Sequence, residues 1–64
     1  MVIPARSVKI FRIKNRKGYA AICRGHLTEG RSVSQAYDRM HKALKRNGLT
    51  IKQEIDPKRL LVNL

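Results

Sequence analysis

The sequence predicts a small α+β domain, β-β-α-β-β in order, with a sheet of three or four strands and one helix packed on one face. Three observations carry this. Ser32 to Gly48 has a helical period with a start and a stop signal. The segments on either side are short runs rich in β-branched and other apolar residues. Finally, 64 residues leave room for one domain holding one helix and a few strands.

Met1 to Ser7, with Pro4 and Arg6, reads as a lead-in or short edge segment without a motif. Val8 to Lys14 is β-branched and aromatic enough for a strand, and Asn15-Arg16-Lys17-Gly18 is a turn with its glycine last. Alternation there is imperfect, Val8 and Ile10 falling on one face and Phe11 and Ile13 on the other. The spacing therefore predicts either a bulge near Ile10 or two partly covered faces. Tyr19 to Arg24 is the return strand of a hairpin, and Gly25 to Arg31 a loop leading into the helix.

The helix begins at Ser32, which with Gln35 forms an S-x-x-Q capping box. Val33, Ala36, Tyr37, Met40, Ala43 and Leu44 recur at three- and four-residue spacing and form one apolar stripe. Packing is expected through Ala36, Met40, Ala43 and Leu44. Lys45 and Arg46 complement the dipole in the last turn, and Asn47-Gly48 ends the helix. Leu49 to Ile55 then alternates as a half-buried strand with Leu49, Ile51 and Ile55 inward. Asp56-Pro57 turns the chain, and Arg59 to Leu64 makes a last strand with Leu60, Val62 and Leu64 on one face.

Charge is the extreme property of this chain. Fifteen Lys and Arg against four Asp and Glu give +11, which in so small a body implies an anionic partner, nucleic acid first. Two basic surfaces are candidates: the hairpin tip, Lys14, Arg16 and Lys17 with Arg12 behind it, and a helix ridge of Arg39, Lys42 and Arg46. Aromatic residues are few, at Phe11, Tyr19 and Tyr37, so contact with the phosphate backbone fits better than reading bases by stacking. The lone Cys23 cannot form an internal disulfide and fits a reducing cytoplasm. No apolar run is long enough to span a bilayer, so no membrane partner is expected.

Gly25-x-x-x-x-Gly30-Arg31-Ser32 lies one substitution from a phosphate-binding loop. A nucleotide-hydrolysing domain needs more βα units than this chain can hold. What survives is a seat for one backbone phosphate at the helix start, with Arg31 beside it. Cys23, His26 and His41 fall short of a structural zinc set, and no pair of acids suggests acid–base work. No enzyme, no cofactor and no metal is expected.

Ala43-Leu44-Lys45-Arg46-Asn47-Gly48-Leu49 and Pro57-Lys58-Arg59-Leu60-Leu61-Val62-Asn63-Leu64 resemble the N-terminal domain of the magnesium-chelatase-like competence ATPases. Gly18-Tyr19 with Ile22, and Gly25 with Leu27, fit that family's preceding strand and loop. The resemblance implies a βαβ piece of a DNA-handling machine and carries over no catalytic residue. A shorter one, in Gly18-Tyr19-x-Ala21-x-Cys23, Thr28-Glu29-Gly30 and the helix with Ala36 and Ala43, is to the hairpin-plus-helix core of HicB-type antitoxins, which are generally acidic. The expectation is thus a noncatalytic module contacting the phosphate backbone of DNA or structured RNA. Its candidate residues are Arg12, Lys14, Arg16, Lys17, Arg31, Arg39, Lys42 and Arg46. The alternative is a protein-interaction subunit, antitoxin-like or ribosome-associated.

Overall fold

The computed structural model of the chain describes residues 1–52 and 55–62. It is an α+β fold in which one helix, α1 (Val33–Arg46), packs on one face of a four-stranded sheet. The sheet holds β4 (His26–Gly30), β3 (Tyr19–Cys23), β2 (Lys9–Arg12) and β6 (Leu61–Val62) in that spatial order. The pairs β4–β3 and β3–β2 are antiparallel, and β2–β6 is parallel. Beside it β1 (Val2–Pro4) and β5 (Thr50–Lys52) form a parallel ladder of their own. No helix among the described residues is long and apolar enough to cross a membrane.

The helix forms where its cap chemistry places it. Ser32 Oγ accepts the Gln35 N–H at 3.1 Å, and Gln35 Oε1 reaches back to the Arg31 N–H at 2.7 Å, one residue earlier than an ideal capping box. At the other end Gly48, at φ 77°, donates to the Lys45 carbonyl and Leu49 donates to that of Leu44. Those two bonds are a Schellman ending, and Leu49 packs on the core that contains Leu44. The stripe buries Ala36, Tyr37, Met40 and Leu44; Ala43, expected in the same contact, is only half-buried. Inward from the sheet come Ile10, Ala21 and Cys23, with Val8 just before β2.

Several elements differ from expectation. Of the two readings of Met1 to Ser7 the short edge segment holds and the lead-in does not: a three-residue strand and a 3-10 turn bury Ile3 and Ala5. Most of the expected loop Gly25 to Arg31 is the strand His26–Gly30: Arg24 and Gly25, both at positive φ, make the two-residue turn of a β3–β4 hairpin, as its twist demands. Arg24 therefore lies in the turn and β3 stops at Cys23. The phosphate-loop likeness dissolves with it, since the residues between the two glycines are extended and paired to β3. Among the described residues six strands thus surround the helix, where four were expected.

On β2 the register against β3 runs unbroken, so there is no bulge; Phe11 and Ile13 are half-buried on the opposite face from Val8 and Ile10. Of the expected strand Leu49 to Ile55, Thr50–Lys52 is extended and pairs with β1 instead of joining the large sheet. Ile51 is buried, with Leu49 and Ile55 half-buried as the alternation required; Gln53 and Glu54 lie outside the described residues. The expected last strand starts late. Pro57–Leu60 is a 3-10 turn begun by Asp56, whose carboxylate accepts the Lys58 N–H, and it buries Leu60 while Val62 stays exposed. Asn63 and Leu64 lie outside the described residues.

Candidate nucleic-acid interface

The hairpin that carries the first basic cluster is closed by the Ile13 N–H on the Gly18 carbonyl, at 3.1 Å. Gly18 sits at φ 135°, where a side chain would be strained, and a Cβ there would stand 3.0 Å from the Gly30 carbonyl oxygen. Gly30 is tighter still: an added Cβ would meet the backbone nitrogen of Ala36 at 2.6 Å. Two glycines thus let the hairpin base, the end of β4 and the first turn of α1 come together. The Thr28 hydroxyl, donating to the Ala36 carbonyl at 3.0 Å, fixes strand to helix at the same place.

Around this junction the cations converge. Arg16 donates to Glu29 Oε1 at 2.6 Å, an exposed ion pair that ties the hairpin tip to β4. Arg39, from the second turn of the helix, donates to the Glu29 carbonyl at 2.8 Å. That carbonyl faces outward from the sheet edge, so Arg39 also covers part of an otherwise open strand. Two open depressions of about 590 and 410 Å³ result. Arg12, Lys14, Arg16 and Lys17 rim the first over an apolar floor of Ile13 and Val62. Arg16, Lys17, Arg31 and Arg39 line the second with Glu29 and Gln35. Ile13, Arg16 and Lys17 line both, so the two adjoin across a shared wall as a two-lobed cleft.

Six of the eight candidate residues therefore share a site. Lys42 and Arg46 do not; they stand exposed further along α1 and line neither depression. Sequence reasoning missed Glu29, Gly30 and Gln35 as parts of the site. The signal for the first two was the Arg24-Gly25 pair between extended runs, a hairpin turn that makes Glu29 a strand residue beside the tip.

The other polar groups are placed apart from the cleft. Cys23 and His26 are cross-strand partners at the far end of the β3–β4 hairpin. Burial pushes the Cys23 thiol up in pKa, against a smaller downward pull from Arg24, which leaves it protonated at neutral pH. Among the described residues no three His, Cys, Asp or Glu side chains gather as a metal site would need. Compared with known proteins, the chain matches no family model, no curated protein and no solved structure.

Proposed function

We propose that this protein is a noncatalytic, cytoplasmic nucleic-acid-binding module that seats backbone phosphates of DNA or structured RNA in the cleft between the hairpin tip and the start of α1. The observation that carries the reading is the shared wall of the two depressions, where Arg16 and Lys17 stand between Arg12 and Lys14 on one side and Arg31 and Arg39 on the other. Six cations line the two depressions against one carboxylate, Glu29. The Arg16–Glu29 pair is exposed on both sides and contributes at most about 1 kcal/mol, so a phosphate can displace Glu29 with little loss.

A salt titration with labelled duplex DNA and a structured RNA tests this. Each cation that neutralises a phosphate releases condensed counterions, so affinity should fall steeply with salt. Replacing Arg16 and Lys17 together by alanine is expected to flatten the log–log slope by about two. Arg39→Ala with Lys42→Ala should flatten it by only about one, because Arg39 alone of that pair lines the cleft. Unchanged slopes in both double variants, with the fold intact by circular dichroism, would remove the proposal.

A further inference from the structure

Strand alternation puts Phe11, Ile13, Ala20, Ile22, Leu27 and Val62 on the sheet face opposite α1, with Lys9 and Glu29 among them, and among the described residues part of this largely apolar face is open to solvent. Register places Ile22 beside Leu27 in one row, and Phe11 beside Val62 in the next. Leu27 is 61% exposed, Ile22 43% and Val62 36%, so these side chains form an open platform and not a second core. Val62 and Ile13, on the same face, are also the floor of the cationic cleft. The apolar platform and the phosphate-binding rim are thus one continuous surface.

Resting on the nucleic-acid reading above, we infer that this open face receives the unpaired bases of a single strand or loop whose phosphates lie along the cleft. A duplex turns its phosphates outward and keeps its base faces stacked inside, so it would leave the platform wet. A single strand has both parts to offer: charge for the rim and planar π-faces for Phe11 and the aliphatic side chains around it. A second copy of this chain fits poorly, because each copy carries +11 and Lys9 stands in the row of Ile22 and Leu27.

The experiment compares the intact chain and variants on labelled single-stranded oligo-dT and oligo-U, each roughly a dozen nucleotides long, and a duplex of equal length, at matched salt. Single strands are expected to bind more tightly than the duplex. Phe11→Leu, which keeps an apolar side chain but removes the aromatic face, and Leu27→Ser, at an exposed position, should each lower single-strand affinity, on the order of tenfold for the aromatic, without changing the salt slope. Equal affinity for duplex and single strand, or single-strand affinity indifferent to both substitutions, would overturn this inference while leaving the phosphate reading in place. Loss of salt-dependent binding to every polymer overturns both. Dimerisation seen by sedimentation and abolished by Leu27→Ser would assign the face to a second copy and overturn the inference as well.

Discussion

Tyr37 carries the core's most awkward atom. Its ring is 4% exposed and packed with Met40 and Leu44 in the buried cluster, yet its hydroxyl finds no hydrogen-bond partner, and neither does Nδ1 of His41 one turn on. A buried unsatisfied hydroxyl costs on the order of 1–3 kcal/mol. Tyr37→Phe keeps the ring and removes that cost, so stability at neutral pH should be unchanged or raised by about 1 kcal/mol. Burial, and to a lesser degree the neighbouring Asp38 carboxylate, raises the phenol's pKa above its ordinary 10.0. The unfolded chain then gives up this proton at a lower pH than the folded one. Stability tied to the neutral phenol is whole below about pH 10 and is lost as pH climbs through the raised folded value. Cys23, raised above 9.0 by burial, begins the same decline about one pH unit earlier. Urea denaturation between neutral pH and about pH 11 should show the fall, with its upper part absent in Tyr37→Phe. A phenylalanine variant that is less stable at neutral pH would show the hydroxyl to be bonded after all.

Between elements, the contact that builds the site is that of β4 with the first turns of α1, and Gly30 decides how close they come. Gly30→Ala drives a Cβ into the backbone of Gln35 and Ala36, which cannot swing aside as a side chain would. The variant should lose about 1–3 kcal/mol in denaturant titration and shift the amide resonances of Arg31 and Gln35. Full stability would mean that strand and helix can separate freely there. The helix was legible because its signals are local: Ser32, Gln35, Asn47 and Gly48 do in the fold what their chemistry announces. β4 was not, because its one large apolar residue, Leu27, points to the open face, while His26, Thr28 and Gly30 look inward. Nothing in that pattern alternates like a strand until β3 is laid beside it. β1 was legible no further than as a lead-in or short edge segment, because its pairing partners at Thr50–Lys52 lie 48 residues away. Residue type alone identified the cleft's cations, but their convergence depends on Glu29, which a loop assignment left without a place.

For the molecule as a whole, salt acts with opposite signs on folding and on binding. Fifteen cations and four acids leave at least eleven cations that no acid can match one to one. The body measures 34 × 20 × 17 Å, and at about 0.01 M salt the screening length, roughly 30 Å, spans most of it, so these charges repel one another across the entire fold. At about 0.1 M the length falls to roughly 10 Å and only near neighbours interact. The free protein should therefore melt at a higher temperature as salt rises over that range. Bound nucleic acid stabilises the native state by mass action, and that increment shrinks as counterion release weakens binding. Thermal melts with and without an oligonucleotide should start far apart at low salt and converge at high salt, the free curve rising as the complex curve falls. A melting temperature of the free protein that stays flat or drops as salt is added would mean that the fold already offsets its own charge. The excess of lysine and arginine would then no longer call for an anionic partner.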